Sequence, residues 1–347
     1  MDKACQAYIP QAYQLQFREI DKPVTAPGKV IVEIVRIGIC GSDIHAFKGK
    51  HPLVSFPLIQ GHELSGFIVE VGEGINDYKM GDFVTIEPAI GCGNCSKCQQ
   101  GLIAQCDQLQ FIGGNIPGGG NQYLQVDPNY IVRYSSEVSL DDAAMTEPLA
   151  VAIHAVNRVP NIKDQKVFIA GGGTIGLLVA QVCRLQGAKE IIISEMLQFR
   201  SQVASILGFK TVFPDDQLEN QVKDIMKASP SVVFECVGME SPLNSCIHLV
   251  ERGGYVIVAG VYEKPPRVDM VLVQDKEINM LGSLMYSFQE FREAAEFIKL
   301  KKIILKPLQT NHFPFHQWVE AYRFIEDPNN SFIKVFIDIN AHETGFN

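Results

Sequence analysis

The pattern of apolar and polar residues divides the chain into two parts. The first part carries apolar, β-branched runs at 30–40, 64–75 and 81–88, and glycines follow or precede them. Such runs are typical of β-strands, and the glycines mark turns between them. No repeated helical period joins these strands. We therefore predict that residues 1–150 form a strand-rich, barrel-like domain.

The second part alternates strands with helices. Strands predicted at 166–171 and 189–195 flank an apolar helix, and the alternation continues to a strand at 278–286. This order is typical of a parallel sheet covered by helices. We predict that residues 151–286 form a second domain of this α/β type.

The C-terminal segment returns towards the first pattern. An amphipathic helix is predicted at 287–303, and β-rich sequence follows at 332–339. We expect residues 287–347 to rejoin the first domain. With 347 residues, the chain is long enough for two domains of ~100–200 residues each.

Composition and charge exclude several classes of protein. The formal net charge is −9 and the basic clusters are short, which argues against binding to nucleic acid or to an anionic membrane. No apolar run approaches the ~18 residues that cross a bilayer. The N-terminus lacks the apolar core of a secretory signal. Four of the nine cysteines crowd between 92 and 106, which indicates metal binding in a reducing compartment. We expect a cytoplasmic protein.

A glycine-rich motif joins the first strand and helix of the second part. Gly171, Gly173 and Gly176 give the pattern G-x-G-x-x-G, and Glu195 ends the following strand. In a dinucleotide site the first glycine permits a tight turn, the second lets a pyrophosphate approach, and the third allows close packing of helix on strand. The helix N-terminus attracts the phosphates.

Glu195 and Arg200 bear on which dinucleotide binds. The Glu195 carboxylate would accept hydrogen bonds from ribose hydroxyls and repel a 2′-phosphate, so NAD is favoured over NADP. Arg200 can accommodate that phosphate, which keeps NADP open. A solvated charge at a strand end is the simpler alternative for Glu195. Because cofactors lie at the carboxyl ends of parallel strands, the predicted contacts on the nicotinamide side are Val237, Ala259, Gly260, Val261, Ser283, Leu284 and Met285.

Two groups of metal-binding residue types lie in the first part. Cys92, Cys95, Cys98 and Cys106 follow the pattern C-x2-C-x2-C-x7-C. Four thiolates close a tetrahedral shell, so we predict a structural zinc site, with an iron–sulfur cluster as the alternative.

The second group lies at 38–63 and contains a thiol, two imidazoles, two carboxylates and a hydroxyl. A thiolate and an imidazole from separate segments, with a carboxylate beside them, suit zinc. The alternative is a buried cysteine, a core histidine and solvated charges. Glu147 adds a carboxylate within an apolar stretch, where a helix-start charge is the alternative. The residues at 38–63 are Cys40, Ser42, Asp43, His45, His62 and Glu63.

The chain resembles the zinc-dependent medium-chain dehydrogenase family. The motifs that carry the resemblance occur in the order GICGSDIH, GHELSG, the four cysteines, TEPLA and AGGGTIG. The resemblance covers nearly the whole chain and is closest to the sorbitol, threonine and sugar-acid branch. It implies a GroES-like β-rich catalytic domain and a doubly wound Rossmann coenzyme domain. It also implies two zinc ions per chain and a homodimer or homotetramer.

The resemblance further implies roles for single residues. Cys40, His62 and Glu63 match the catalytic zinc ligands, and Glu147 matches a carboxylate that binds zinc directly or through water. Ser42 matches the hydroxyl that passes on the alcohol proton, His45 the relay histidine, and Asp43 the carboxylate that orients the ligand histidine. The dinucleotide contacts would be Gly171, Gly173, Thr174, Ile175, Gly176, Glu195 and Arg200.

The predicted reaction is oxidation of a secondary alcohol by NAD to give a ketone. The substrate would be a polyol, a sugar acid or a related hydroxy compound. The alternatives are an NADP-linked reductase of small aldehydes and a non-catalytic sensor that binds NAD. Lys48, Lys50 and His51 could hold a substrate carboxylate or phosphate, unless they are solvated loop charges.

Overall fold

A computed structural model describes residues 3–51 and 54–339. The segment predicted to rejoin the first domain extends to residue 347, and its last residues, 340–347, lie outside the described part.

The first part of the chain folds mainly into strands. Its helices are α1 (Gly41–Phe47), α2 (Ser96–Gln99), α3 (Leu140–Ala144) and α4 (Thr146–Asn157). Its strands are β1 (Lys3–Gln11), β2 (Gln14–Asp21), β3 (Val30–Ile39), β4 (Glu63–Val71), β5 (Phe83–Ile86), β6 (Ala89–Ile90), β7 (Gln110–Phe111), β8 (Tyr123–Val126) and β9 (Ile131–Tyr134).

The second part alternates strands and helices, as its sequence pattern predicts. The strands are β10 (Lys166–Ala170), β11 (Glu190–Ser194), β12 (Lys210–Val212), β13 (Val232–Glu235), β14 (Tyr255–Val258) and β15 (Asn279–Gly282). The helices are α5 (Thr174–Leu185), α6 (Gln198–Ile206), α7 (Leu218–Met226), α8 (Glu240–Leu249) and α9 (Met270–Asp275). The last described elements are α10 (Phe288–Lys299), β16 (Gln309–Pro314), α11 (Trp318–Glu326) and β17 (Lys334–Asp338).

A seven-stranded sheet joins strands of the first part of the chain to the last two described strands. Its main order is β16-β17-β3-β4-β5-β9, and β8 pairs with β3. Strand β17 runs antiparallel to β3, with Val335 opposite Ile39. The inward faces of β3 and β17 pack with Trp318 and Tyr322 of α11 in one apolar core. The C-terminal strands therefore reach the segment that carries Cys40.

The second sheet is parallel throughout, with the order β12-β11-β10-β13-β14-β15. Its central strands are buried on both faces, for example at the successive residues Val167 and Phe168, which explains their continuous apolar sequence. The strand order reverses between β10 and β13. Ligands of such sheets bind at this point, beyond the carboxyl ends of the strands.

Some elements have a weak sequence pattern and were not predicted. Strand β2 is largely exposed and polar, so it shows no alternation of apolar and polar residues. Strand β12 is only three residues long. The strand predicted at 278–286 spans only Asn279–Gly282, although the Ser283 N–H still donates to the Val258 carbonyl of β14. Among the residues described, no helix is long and apolar enough to cross a membrane.

Candidate metal and coenzyme sites

The residues Cys40, His62 and Glu63 converge at one end of the strand pair β3–β4. Cys40 follows β3 and caps α1, and Glu63 begins β4. One ligand atom from each of the three lies within 4.8 Å of the others. His62 and Glu63 are buried, whereas Cys40 is half-buried. A thiol, an imidazole and a carboxylate at this spacing fit a zinc ion with a further position open to substrate.

Gly38 makes room for the Glu63 carboxylate. The β3–β4 register places Gly38 directly opposite Glu63. A Cβ atom at residue 38 would overlap a carboxylate oxygen of Glu63. The first glycine of the GICGSDIH motif therefore leaves the space that the Glu63 carboxylate occupies.

Asp43 lies behind His62. The Asp43 Oδ1 is 3.4 Å from His62 Nδ1, and its Oδ2 accepts a hydrogen bond of 2.9 Å from the Cys40 backbone N–H. Burial alone would lower the pKa of His62, but Asp43 and the Cys40 thiol outweigh burial and raise it. The same negative groups favour a bound cation. Two buried hydrogen bonds hold the backbone of Asp43 in place. The Tyr322 hydroxyl donates to Gln60, and the Gln60 side chain donates to the Asp43 carbonyl at 2.8 Å.

Lys334 is a buried residue of this site that the sequence analysis missed. Its Nζ lies 2.6 and 2.7 Å from the two carboxylate oxygens of Glu63 and also donates to the Ile39 carbonyl. The side chain is 3% exposed. Burial lowers the pKa of Lys334, but Glu63 and Cys40 more than offset this and raise it. The available signal was a lone lysine between apolar residues in the run FIKVFIDI.

Glu147 lies near the three ligands but outside their immediate group. It is buried in the first turn of α4. Burial raises the pKa of Glu147 to about 7, with Glu63 adding to the rise and His62 opposing it. The Tyr286 hydroxyl is buried beside Glu147, and burial together with the Glu147 carboxylate raises the pKa of Tyr286. This placement suits a carboxylate that meets a metal ion directly or through water.

The two residues expected to move a proton lie on the helix that follows Cys40. Ser42 is half-buried in the first turn of α1. His45 lies one turn further, and its Nδ1 is 3.0 Å from Glu263 Oε1. Glu263 belongs to the segment after β14, so it reaches this helix from the other part of the molecule.

The four cysteines form a compact cluster of their own. One sulfur atom of each lies within 4.8 Å of the others, and the sulfurs of Cys92 and Cys98 are 3.9 Å apart. The Cys98 backbone N–H donates to Cys95 Sγ at 3.4 Å. Hydrogen bonds from the backbone at Asn94 and Cys95 contribute to lowering the pKa of Cys92 to about 6. Four converging thiols fit one ion with a closed shell, as predicted for structural zinc.

The glycine motif forms the turn between β10 and α5. Gly171 has a φ of 101°, in the left-handed region that favours glycine. A Cβ atom on Gly176 would overlap the Gly171 carbonyl, so helix and strand pack closely there. Helix α5 begins at Thr174, whose hydroxyl donates to the Ile333 carbonyl, and Ile175 follows it. The backbone N–H groups at this helix start suit a pyrophosphate.

Glu195 folds back onto the glycine loop. Its Oε2 accepts from the Gly172 N–H and its Oε1 from the Leu197 N–H, both at 2.8 Å. A Cβ atom at residue 172 would lie 3.1 Å from Glu195 Oε2, which is tighter than an ordinary contact. Gly172, which lies between the first two glycines of the motif, thus accommodates a glutamate. Burial lowers the pKa of the nearby Arg200 guanidinium more than the Glu195 carboxylate raises it.

The predicted nicotinamide-side residues lie beyond the carboxyl ends of β13, β14 and β15. Val237 contacts Gly171, since a Cβ atom there would be 2.8 Å from a Val237 methyl group. Gly260 packs closely on Gly238, and Ala259 and Val261 flank it. The Ser283 N–H donates to the Val258 carbonyl at 2.9 Å. Leu284 is exposed and Met285 is half-buried.

The three basic residues close to the metal segment have neighbours in the structure. Lys48 pairs with Glu326, and Lys50 Nζ lies 3.0 Å from Glu263 Oε2. Burial lowers the pKa of His51, as does the charge of His45. The two lysines are therefore neutralised by carboxylates of the same chain.

A candidate zinc site of three ligands and a glycine-rich loop between strand and helix in one chain are typical of a zinc- and nicotinamide-dependent oxidoreductase. Comparison with known proteins supports this class. Residues 26–136 match the alcohol dehydrogenase GroES-like domain, and residues 174–299 match the zinc-binding dehydrogenase domain.

Two relatives and one solved structure cover almost the whole chain. The 2-dehydro-3-deoxy-L-galactonate 5-dehydrogenase of Pseudoalteromonas atlantica is 32% identical over 332 residues, covering 94% of this chain and 97% of that protein. The sorbitol dehydrogenase of Halalkalibacterium halodurans is 32% identical over 316 residues, covering 88% and 91%. A structure of a zinc-binding dehydrogenase from Sinorhizobium meliloti 1021 bound to NADP has a TM-score of 0.87 and 26% identity, covering 98% and 100%.

The chain therefore belongs to the zinc-dependent medium-chain alcohol dehydrogenase family, in its sorbitol and sugar-acid branch. These matches confirm the predicted fold class, a GroES-like β-rich domain with a Rossmann coenzyme domain.

Proposed function

We propose that this enzyme oxidises a secondary alcohol of a polyhydroxylated small molecule to a ketone and passes the hydride to a nicotinamide dinucleotide. The observation that carries the proposal is the convergence of Cys40, His62 and Glu63 in a chain that also carries the dinucleotide loop at Gly171–Gly176. We assign residues 1–150 and 287–347 to the catalytic domain and residues 151–286 to the coenzyme domain.

Cys40, His62 and Glu63 would hold the catalytic zinc, with Glu147 meeting it directly or through water. When bound, zinc polarises the alcohol oxygen and lowers the pKa of the alcohol. Asp43 holds the His62 ring, and Lys334 balances the charge of Glu63. Cys92, Cys95, Cys98 and Cys106 would hold the structural zinc. Ser42 accepts the alcohol proton while it gives its own to His45.

The coenzyme is assigned as NAD. Glu195 is 8% exposed and occupies the end of β11, where the ribose hydroxyls of a dinucleotide lie in this fold. Its negative charge would oppose a 2′-phosphate. Arg200 and the NADP-bound relative support the alternative coenzyme. Comparing kcat/KM for NAD and NADP decides this, and a clear preference for NADP would overturn the role given to Glu195.

The substrate is assigned as a neutral polyol. The named relatives include both a sugar-acid dehydrogenase and a sorbitol dehydrogenase. In this chain, Lys48 is paired with Glu326 and Lys50 with Glu263. A substrate carboxylate would have to compete with these glutamates for either ammonium group. This observation favours polyols over aldonates.

One experiment tests the reaction and the substrate together. Purified, zinc-loaded enzyme is screened for NADH production with polyols, aldonates and hydroxy amino acids. We expect the highest kcat/KM with a polyol, and loss of oxidation in Cys40→Ser and His62→Ala. Unchanged rates in both variants would refute the catalytic zinc site, and a higher kcat/KM with aldonates would refute the substrate assignment.

We also propose a cytoplasmic homodimer or homotetramer. Strand β15 lies at the edge of its sheet, and the hydrophobic residues Met270, Val271 and Leu284 near it are more than half exposed. Exposed hydrophobic side chains and an open sheet edge are typical of contacts between subunits. The molar mass by light scattering tests the assembly, and a monomer at micromolar concentration would contradict it.

A further inference from the structure

Glu263 connects the coenzyme domain to the helix that follows the metal ligand Cys40. Its Oε1 lies 3.0 Å from His45 Nδ1, and its Oε2 lies 3.0 Å from Lys50 Nζ. Glu263 follows β14, whereas His45 belongs to α1. One carboxylate therefore spans the two parts of the molecule and ends on the histidine that is expected to carry the proton.

A buried network fixes the segment that carries Glu263. Glu235 is fully buried at the end of β13. Its Oε1 accepts from the N–H groups of Val237 and Gly238, at 2.7 and 2.8 Å, and its Oε2 accepts from the Tyr262 hydroxyl at 2.8 Å. Because Tyr262 directly precedes Glu263, this network sets where the carboxylate of Glu263 can reach.

The charges around the contact determine its chemistry. Hydrogen bonding to Lys50, more than to His45, lowers the pKa of Glu263. An ionised carboxylate only accepts hydrogen bonds, so the proton of the contact belongs to His45 Nδ1. In a neutral imidazole, a proton on Nδ1 leaves the lone pair on Nε2. Other ionisable groups also act here: Tyr13 and Glu326 on Lys50, and Asp43 and His62 on the neighbouring His51.

We propose that Glu263 is a positioning residue that holds His45 as the Nδ1–H tautomer, so that Nε2 is free to take the proton of Ser42. The inference rests on the relay role assigned to His45 in the proposed function. When Nε2 binds the proton, the ring becomes an imidazolium and the facing carboxylate of Glu263 stabilises its charge. The proton then leaves to solvent, to which the side chain of His45 is 26% exposed.

The direct test observes the tautomer without any turnover. ¹⁵N-histidine NMR of the zinc-loaded, coenzyme-free protein at alkaline pH reports which nitrogen of the neutral His45 ring carries the proton. We expect Nδ1–H in the wild type and a shift towards Nε2–H in Glu263→Met. Glu263→Gln retains an acceptor oxygen and should keep the wild-type tautomer. Lys48→Met removes a comparable ion pair from the end of the same helix, without touching Glu263, and should also keep it.

Kinetics then test whether the contact matters. We expect Glu263→Met to lower kcat roughly tenfold, well below the ~100–10,000-fold range for complete loss of acid–base catalysis, with a larger solvent deuterium isotope effect on kcat. In a His45→Gln background the same substitution should cost nothing further, because the two residues act as one unit.

Two outcomes overturn the inference. One is an unchanged His45 tautomer in Glu263→Met, and the other is an equal kcat loss with and without His45. Failure of the proposed function looks different. In that case the enzyme oxidises no alcohol, or His45→Gln turns over as fast as the wild type, while the NMR result still decides whether Glu263 sets the tautomer.

Discussion

The four-cysteine cluster and the Cys40–His62–Glu63 cluster both bring their ligand atoms within 4.8 Å of one another, but by different routes. The four cysteines all lie between residues 92 and 106, and three of them are half-exposed. The other cluster joins the end of β3 to the start of β4, and its neighbours come from elsewhere. Lys334, which pairs with Glu63, is 271 residues away in sequence.

The difference shows what each site requires of the fold. A tight turn is enough to aim closely spaced thiols at one ion, so the four-cysteine cluster depends on few distant residues. The second cluster places a thiol, an imidazole and a carboxylate in a largely buried position, where a charge without a partner is costly. It therefore depends on Asp43 and Lys334, and on the space that Gly38 leaves.

The largest expected effect separates the chemistry of the two clusters. Cys40→Ser should lower kcat/KM roughly 1,000-fold, since losing several kcal/mol of metal assistance corresponds to about that factor. Cys98→Ser should instead lower the unfolding temperature and remove one zinc, with activity per folded molecule largely retained. Metal analysis, calorimetry and steady-state kinetics measure these quantities. Equal activity losses per folded molecule would mean that the two clusters do not divide the roles in this way.

The second prediction concerns whether a short peptide that carries the ligands of one cluster can bind zinc by itself. A peptide of residues 88–111 should bind zinc at least ~1,000-fold more tightly than a peptide of residues 36–65, because metal binding in short segments drives local folding only where the ligands are close in sequence. Titration with Co²⁺, followed by its thiolate absorption, and competition with zinc measure both affinities. Similar affinities would show that the segment at 38–63 is also self-sufficient.

The third prediction uses the buried ion pair. Lys334→Met should destabilise the zinc-free protein by about 3 kcal/mol, because a single buried carboxylate is left without its cation. With zinc bound the loss should be smaller, since the metal supplies positive charge to Glu63. Urea unfolding with and without zinc measures the difference. Lys97→Met, an exposed lysine beside the four cysteines, is the control and should change neither value. An identical loss in both conditions would show that Glu63 does not approach the metal.

The smallest expected effect concerns the support of His62. Asp43→Asn keeps the shape but weakens the hold on the His62 ring, so zinc affinity and kcat/KM should each fall about tenfold, at the low end for outer-shell partners of metal ligands. Competition with a chromogenic chelator measures the affinity. Asp107→Asn, an exposed carboxylate next to Cys106, should leave it unchanged. A similar fall in both variants would point to a general charge effect instead.

Much of the fold could be predicted because its signals are local. The apolar run at 166–171 and the glycines that follow it specify a strand and a turn, and β10 and α5 form there. Strand β2 could not be predicted, because its side chains are mostly exposed and its pairing with β1 supplies the order instead. The end of β15 was misplaced, since the apolar sequence continues beyond Gly282, where the strand ends.

Site residues, like strands, could be predicted only where the sequence carries a local pattern. The spacing of the four cysteines predicted a cluster, and the structure brings their sulfur atoms together. The candidate metal ligands at 38–63 were predicted from residue type and from the family resemblance, and the structure brings Cys40, His62 and Glu63 together. Lys334 and Glu263 were missed because each acts through a partner far away in sequence. A single lysine or glutamate carries no spacing that would reveal such a partner.

The ion pair between Lys334 and Glu63 has a consequence for biosynthesis. The coenzyme domain lies between these residues in the chain, so a ribosome must translate all of it before Glu63 can receive its cation. Until then the β3–β4 hairpin carries a carboxylate that is costly to bury. The nascent catalytic domain can therefore complete its metal centre only after the dinucleotide-binding sheet has emerged, and stalled chains that end before Lys334 should be poor binders of catalytic zinc.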